Sequence, residues 1–414
     1  MINLETPRKF DTLIGQAHQV AVNVFRPNSR KYDTEQPEYP KELDMLAALI
    51  DGMTESGGMA GAGVGTVGGG TSSNGGTSSN GARADSGNRN GTNMASLLGL
   101  IELCWGDVGL MLSMPRQGLG QAAIAAVASE EQLERFGGKW AAMAITEPEA
   151  GSDSAAIRTT ARLDGDEYVL NGSKIFVTSG ERAELVVVWA TLDRSRGRAA
   201  IKSFVVERSN PGLKLERLEH KLGIRASDTA NFVLEDCRVP TQNLLGSPEI
   251  EARKGLAGAM QTFDNTRPMV AGMAIGVARA CLEATREHLR RAGIEIDYLR
   301  GGSFAQSAAA AEFIAMEADW EAARLLTLQA AWMADNRTPN SLQASMAKAK
   351  AGRVGTEIAL RCVALCGATG FGEGELLEKW ARDAKILDLF EGTQQIQLLI
   401  IARTLLGVSS AELK

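Results

Sequence analysis

One acidic residue near the C-terminus has the surroundings of a base that works away from water. Glu391 follows the apolar pair Leu389 and Phe390 and precedes Gly392 and Thr393, so an apolar run leads one carboxylate to a turn with free backbone amides. A carboxyl group in an apolar cavity has a raised proton affinity, which brings a weak base nearer to proton abstraction. A helix-terminal cap is the alternative role for a Glu at such a position.

Hydroxyl side chains and glycines collect in two other stretches of the chain. Thr146, Gly151 and Ser152 fall in the first stretch, and Phe176 and Thr178 fall in the second. On turns beside strands, such residues present hydroxyls and backbone amides that suit the polar edge of a ring or a phosphate-linked chain. Ser, Thr and Gly also favour ordinary turns, which is the alternative interpretation of these positions.

The elements that must position these residues change in character twice along the chain. Apolar residues recur at helical spacing within 1–137 and again within 248–414, where Pro268 is expected to kink or divide its helix. Residues 138–247 instead contain short β-rich runs separated by turn signals such as Asn171-Gly172. The predicted strands are Glu167–Leu170, Lys174–Thr178, Leu185–Thr191, Ser203–Glu207 and Asn231–Leu234. The sequence therefore predicts an α+β multidomain protein with a helical N-terminal domain, a small middle β domain and a C-terminal helical bundle.

A glycine- and serine-rich segment interrupts the N-terminal domain. Residues 56–93 consist almost wholly of Gly, Ser, Thr, Asn and Ala, with GGTSSN occurring twice in succession. Such a segment has too little apolar surface to offset the entropy of ordering, so it is predicted to be a disordered insertion. Gly63, Gly65 and Gly68 match a dinucleotide-binding spacing, but without a preceding strand and a following helix they indicate no nucleotide site.

Composition excludes several classes of protein. The formal net charge is −6 and no long Lys/Arg run occurs, so we expect no nucleic-acid partner. The longest apolar stretches noted, around 185–192 and 398–401, are shorter than the roughly 20 residues that span a bilayer, so no membrane span is expected. Residues 1–15 lack the features of a secretory signal, so a cytoplasmic protein is expected. The five cysteines are expected to be reduced, and Cys362 and Cys366 to be packed in the core.

Several stretches together point to a known family. They read AITEPEAGSD at 144–153, NGSKIFVTSG at 171–180, KLGIR at 221–225, RDAKI at 382–386 and FEGT at 390–393. In these stretches, and in the order helices, β domain, helices, the chain resembles the acyl-CoA dehydrogenase family from about Met94 to Leu406. The resemblance implies a small β-sheet or β-barrel domain between a helical domain and a C-terminal four-helix bundle.

The resemblance also implies a site and a reaction. The implied reaction is α,β-dehydrogenation of an acyl-CoA to a trans-2-enoyl-CoA, with Glu391 taking the α-proton and FAD the β-hydride. The implied partners are an electron-transfer flavoprotein and further subunits, in a homotetramer or a heteromer. The residues implied to bind FAD are Ile145, Thr146, Gly151, Ser152, Phe176, Thr178, Gly367, Thr393 and Gln395. Those implied to bind substrate are Ser152, Phe263, Asp264, Arg267 and Gly392, and no metal ligand is implied.

Some positions depart from the family pattern. Ala364 and Ala368 stand where the family pattern has a Gln and a Gly that contact the flavin of a neighbouring subunit. The family's Arg-x-x-Phe-Gly segment, which binds the dinucleotide across the subunit interface, is not recognisable. In relatives that carry the base on another helix, the matching position here is Thr266. The departures leave open a heteromeric dehydrogenase, a flavin oxidase or monooxygenase, and an inactive scaffold. The retained Glu391 favours the dehydrogenase.

Overall fold

The computed structural model describes residues 6–34, 38–47, 91–116, 119–250, 257–299, 305–409 and 412, except for the side chains of 257–265. The predicted insertion at 56–93 lies outside the described residues up to position 90. Its predicted end is corrected, because Thr92 and Asn93 are the first residues of a helix. Asp335 receives hydrogen bonds from the backbone amides of Asn93 and Met94, which ties that helix start to the C-terminal region.

The N-terminal region is helical, as predicted. Helix α1 (Asp11–Val20) continues through a π-helical turn, and α2 (Thr92–Ser113), α3 (Leu119–Val127) and α4 (Glu130–Phe136) follow. Helix α4 begins where Ser129 and Gln132 form a reciprocal capping box, which satisfies two amides of its first turn. Helix α2 is broken at Asp107, whose extended backbone lets its carboxylate accept from the Leu110 amide.

The middle region is a curled seven-stranded sheet. The strands are β1 (Ala141–Ala144), β2 (Thr160–Asp164), β3 (Glu167–Thr178), β4 (Leu185–Thr191), β5 (Ile201–Glu207), β6 (Leu213–Leu218) and β7 (Thr229–Pro240). Their order is β1-β4-β2-β3-β7-β6, with β5 paired to β4. Every residue of β4 is buried because both faces of the sheet are covered, and Phe136 of α4 packs on one of them. The predicted β domain is confirmed, although β1, β2 and β6 were not among the predicted strands.

The turn predicted at Asn171-Gly172 is wrong, because both residues lie inside the continuous strand β3. The pairing of β3 with β7 shifts register between Leu170 and Gly172, which marks a bulge. A Cβ atom at Gly172 would lie 2.4 Å from the Thr159 hydroxyl oxygen, so the glycine serves a close approach of backbone. An Asn-Gly pair thus bends a strand here and does not end it.

The C-terminal region is a helical bundle that shares one core with the N-terminal helices. It contains α5 (Ala257–Arg291), α6 (Ala308–Asp335), α7 (Ser341–Phe371), α8 (Leu377–Ala384) and α9 (Gln394–Leu406). Helix α5 is not divided at Pro268, contrary to that part of the prediction. Small residues bring α5 against α2: a Cβ at Gly276 would lie 2.5 Å from the Ile101 carbonyl oxygen. All five cysteines are buried, which confirms the core packing predicted for Cys362 and Cys366.

Among the described residues, two helices are long and apolar enough to cross a membrane, which the short apolar stretches did not suggest. They are α2, whose most apolar window is 78% buried, and α7, whose window is 39% buried. Burial inside the protein accounts for the apolar character of α2, since core helices have the same composition. The expectation of no membrane span stays a prediction.

Candidate active site

Glu391 lies in the loop that joins a short 3₁₀ turn, Lys385–Asp388, to α9. Its φ is 58° and that of Gly392 is 90°, so two successive residues are in the left-handed region. A non-glycine residue held there costs about 1–3 kcal/mol, and such strain concentrates at functional sites. The loop therefore holds Glu391 in a conformation that the isolated chain would not favour.

Glu391 is half-buried, and its carboxyl group faces Thr266 at the start of the bundle. The Thr266 hydroxyl on α5 donates to its Oε2 at 2.8 Å. Desolvation by burial raises the pKa of Glu391, while the Thr266 hydrogen bond and the charges of Arg267 and Lys348 act in the opposite direction. The predicted base and the predicted Thr266 position thus meet in space, although 125 residues separate them in the chain.

The charge of Arg267 on α5 acts on the Glu391 carboxyl group, and its predicted place near the substrate stays a prediction. Arg267 is 3% exposed, and its Nη1 lies 3.5 Å from the Ser345 hydroxyl on α7. The side chains of Phe263 and Asp264, which were predicted to contact substrate, lie outside the described residues. Their roles stay predictions.

The two stretches predicted to hold the cofactor are joined by a buried ion pair that the sequence analysis did not single out. Lys174 Nζ lies 2.6 Å from Glu147 Oε1 and also donates to the Ile145 carbonyl oxygen. Burial lowers the pKa of Lys174 to about 8, and Glu147 acts to raise it. For Glu147, burial acts to raise the pKa, but Lys174 and neighbouring hydrogen bonds outweigh it and lower the pKa. The sequence signal for this ion pair was one Lys and one Glu, 27 positions apart, each within an otherwise apolar β-rich region.

Around this pair the structure presents polar edges and one exposed ring. The backbone of Thr146 accepts from the Ile175 amide, so the loop after β1 lies against β3. Phe176 is 60% exposed with a φ of 59°, and Gly151 and Ser152 are exposed on the same loop as Thr146. An aromatic side chain held outward by a strained backbone, beside hydroxyls and free loop, fits a planar ring with a phosphate-linked tail.

Other residues predicted to bind the cofactor lie apart from Glu391 or have a structural use. Thr393 is the N-cap of α9 and accepts from the Ile396 amide at 3.4 Å, and Gln395 is exposed on the first turn. Gly367 is exposed and interrupts α7 with a φ of 54°. At 1.5 Å per residue, it lies about 28 Å along α7 from Lys348, the residue near Glu391.

The matched stretches at 221–225 and 382–386 meet where the sheet joins the bundle. The Ile224 amide donates to Asp383 Oδ1 at 2.5 Å, and Arg382 Nη1 donates to the Leu222 carbonyl at 3.0 Å. Lys379 lies 2.5 Å from Asp107 and 2.6 Å from Asp383, all three being buried. These contacts set the middle domain against the helices that carry the Glu391 loop.

Comparison with known proteins identifies the family. The family descriptions "Acyl-CoA dehydrogenase, middle domain" and "Acyl-CoA dehydrogenase, C-terminal domain" match residues 142–237 and 253–406, which together make up more than half of the chain. The short-chain specific acyl-CoA dehydrogenase of Clostridium acetobutylicum is 34% identical over 312 residues, covering 73% of this chain and 79% of that protein. The chain belongs to the acyl-CoA dehydrogenase family.

Further relatives within the acyl-CoA dehydrogenase family agree in sequence and in fold. The mitochondrial short-chain specific acyl-CoA dehydrogenase of Rattus norvegicus is 40% identical over 273 residues, or 65% of this chain. The match spans 64% of the rat enzyme's length. The solved structure of butyryl-CoA dehydrogenase from Megasphaera elsdenii is similar with a TM-score of 0.79 and 28% identity, covering 98% of this chain and 100% of that one. Members of the family are flavoproteins that use FAD.

Proposed function

We propose that this protein catalyses the α,β-dehydrogenation of an acyl-CoA thioester to the trans-2-enoyl-CoA, with Glu391 as the base that takes the α-proton. The observation that carries the proposal is the sheltered Glu391 carboxyl group, with a raised pKa, beside Thr266 and Arg267. Catalytic bases are tuned in this way, because a higher proton affinity strengthens a carboxylate. The Thr266 hydroxyl keeps the carboxyl group in one orientation.

The loop also offers a donor for the thioester oxygen. Among the described residues, the backbone N–H of Glu391 has no hydrogen-bond acceptor. Glu391 also precedes Gly392, whose backbone is in the left-handed region. An amide in that state can stabilise negative charge that develops on the carbonyl oxygen as the α-proton leaves. Glu391 would then supply both the base and one oxyanion donor from the same residue.

We propose FAD as the cofactor, held by the exposed ring of Phe176, the hydroxyls of Thr146, Ser152 and Thr178, and the loop around Gly151. When bound, FAD supplies the acceptor for the β-hydride. The buried Lys174–Glu147 pair supports this role, because it holds the loop after β1 against β3. The same proposal includes contributions to FAD binding from Ile145, Thr393, Gln395 and Gly367. Gly367 would contact the FAD of a neighbouring subunit.

We further propose a short acyl chain as the substrate, an electron-transfer flavoprotein as the electron acceptor and a homotetramer as the assembly, in the cytoplasm. The names of the Clostridium, rat and Megasphaera relatives support the short chain. The fold similarity over nearly the whole chain supports an assembly of the family type. The retained base favours a dehydrogenase over a scaffold, since a scaffold needs no desolvated carboxylate.

Anaerobic spectroscopy of the purified protein tests the function. The protein should be yellow and should bleach on addition of butyryl-CoA under argon, faster than with octanoyl- or palmitoyl-CoA. Glu391→Gln should keep the flavin and bind acyl-CoA but reduce the flavin more slowly by a factor on the order of 10⁴. Glu134→Gln, at an exposed position on α4, is the matched control and should bleach normally.

Three outcomes would contradict the proposal in different ways. Colourless protein that takes up no FAD would indicate a scaffold or a heteromeric subunit that needs its partner. A bleached flavin that air reoxidises within the mixing time would indicate an oxidase. Unchanged flavin reduction in Glu391→Gln would reject this residue as the base.

A further inference from the structure

Two buried side chains hold the main chain around Glu391. Lys348 Nζ, on α7, donates to the carbonyl oxygens of Gly392 at 2.6 Å and Asp388 at 3.1 Å. Gln397 Nε2, on α9, donates to the carbonyl oxygens of Glu391 at 3.1 Å and Gly392 at 3.2 Å. Side chains from two helices therefore donate hydrogen bonds to the carbonyl groups of the loop from 388 to 392.

The burial of these donors is costly for the fold. Lys348 is 1% exposed and Gln397 is 0% exposed. Within the part of the chain that the structure describes, Lys348 has no carboxylate oxygen within salt-bridge distance, and its printed acceptors are backbone carbonyls. Burial lowers the pKa of Lys348 to about 8, while Asp388 and Glu391 act to raise it. A buried ammonium group without a paired carboxylate costs free energy that a neutral side chain would not.

The contacts explain why Glu391 stays in the left-handed region. Because the carbonyl groups of Asp388, Glu391 and Gly392 are all held, a change of Glu391 to an extended or helical backbone would break these hydrogen bonds. The Gln397 amide packs closely on the turn, since a Cβ at Gly392 would lie 2.5 Å from Gln397 Nε2. The same backbone conformation directs the Glu391 carboxyl group to Thr266.

From this geometry we infer that Lys348 and Gln397 are positioning residues for the base, forming a clamp on the carbonyls of the Glu391 loop. This inference rests on the proposed function of Glu391. Lys348 has a second effect, because with Arg267 on α5 it is one of the two cations that act on the Glu391 carboxyl group. Gln397 is neutral, so the two members of the clamp share the geometric role and differ in the electrostatic one.

Lys348→Met and Gln397→Met test the clamp, since methionine preserves an unbranched side chain and removes the donors. Each variant should slow anaerobic flavin reduction by a factor on the order of 100 while leaving the acyl-CoA dissociation constant nearly unchanged. Lys350→Met is the matched control: it lies on the same helix, pairs with Asp319 and should reduce flavin at the wild-type rate.

A second measurement separates the electrostatic role from general structural damage. Infrared titration of protein with ¹³C-labelled Glu measures the pKa of the Glu391 carboxyl group, whose band is assigned by its loss in Glu391→Gln. This measurement does not depend on catalytic activity. Lys348→Met should raise that pKa, because a nearby cation is lost, whereas Gln397→Met should cause no charge-driven rise. A crystal structure of Gln397→Met should show Glu391 out of the left-handed region or out of reach of Thr266.

The outcomes distinguish the clamp from the function on which it rests. Wild-type rates in both variants, or crystal structures with an unmoved Glu391, would overturn the clamp even if acyl-CoA bleaches the wild-type flavin. If Glu391→Gln reduces flavin normally, the proposed function fails, and the crystal structures still decide whether the side chains hold the loop. Should Lys348→Met not fold, Gln397→Met provides the same geometric test.

Discussion

At the scale of single residues, Glu391 combines two features that oppose stability. Its backbone is in the left-handed region and its carboxyl group is desolvated. Thr266, Arg267 and Lys348 offset only part of the desolvation, because the pKa remains raised. Residues that a fold retains at such a cost are candidates for function, since a better-packed neutral side chain would stabilise the protein more.

Replacing Glu391 by Gln is therefore expected to stabilise the protein at neutral and alkaline pH. A carboxyl group whose folded pKa is raised contributes stability below its unfolded pKa of about 4.3, and that contribution is lost as pH rises through the folded pKa. The neutral amide does not ionise, so the melting temperature of Glu391→Gln should exceed that of the wild type by on the order of 1–3 °C at about pH 8.

Calorimetry of the wild type and the variant, from about pH 5 to about pH 9, checks this expectation. The difference in melting temperature should shrink toward the acidic end, because protonation of the wild-type carboxyl group increases as the pH falls. Glu134→Gln, an exposed control, should show no such trend. A variant that is less stable than the wild type at every pH would contradict the assignment of a desolvated carboxylate.

At the scale of elements, one buried lysine joins three parts of the chain. Lys379 on α8 contacts Asp107 in the break of α2 and Asp383 one turn further along α8. Asp383 also accepts from the Ile224 amide of the middle domain, and Asp107 accepts from Ser29 after α1. The two carboxylates raise the pKa of Lys379 against the desolvation that would lower it.

Removing this cation should destabilise the protein strongly. In Lys379→Met, two buried carboxylates lose their counter-charge, and breaking a buried pair in this way costs about 3–5 kcal/mol. Urea unfolding should show that loss, whereas Lys385→Met, at a more exposed lysine of the adjoining turn, should change stability by less than about 1 kcal/mol. The triple variant Asp107→Asn/Lys379→Met/Asp383→Asn should recover much of the loss; no recovery would point to packing and not to charge.

At the scale of the whole molecule, α9 and the end of α7 expose apolar side chains that the single chain does not cover. Leu405 is 64% exposed, Leu406 is 67% exposed and Phe371 is 79% exposed. Exposed apolar side chains that lie together mark interaction sites in soluble proteins. The proposed homotetramer would cover it with a second copy of this chain.

The double variant Leu399→Glu/Leu406→Glu should weaken that assembly, because the two positions are one heptad apart on α9 and would place charges in a buried interface. Sedimentation of the wild type should give a multiple of the 44.0 kDa chain, and the variant should sediment as a smaller species. Leu163→Glu, at a position on β2 that is 56% exposed, should leave the mass unchanged. An unchanged mass for the α9 variant would place the interface elsewhere.

Much of this organisation is readable from the residues alone. The order of helices, sheet and helices follows from hydrophobic periodicity, and strand β4 was predicted with the bounds that the structure has. Glu391 stood out because an apolar run leads to it and a glycine follows it. These features are local, so neighbouring residues are enough to encode them.

Tertiary structure decided the rest. The Asn171-Gly172 pair is a turn by propensity, but pairing of β3 with β7 on both sides makes it a bulge. Thr266 reaches Glu391 across 125 positions and Lys348 reaches the Gly392 carbonyl across 44, and no local pattern encodes either contact. Such contacts depend on how α5, α7 and α9 pack, because the free energy of a buried polar group is set by the partners that packing brings to it.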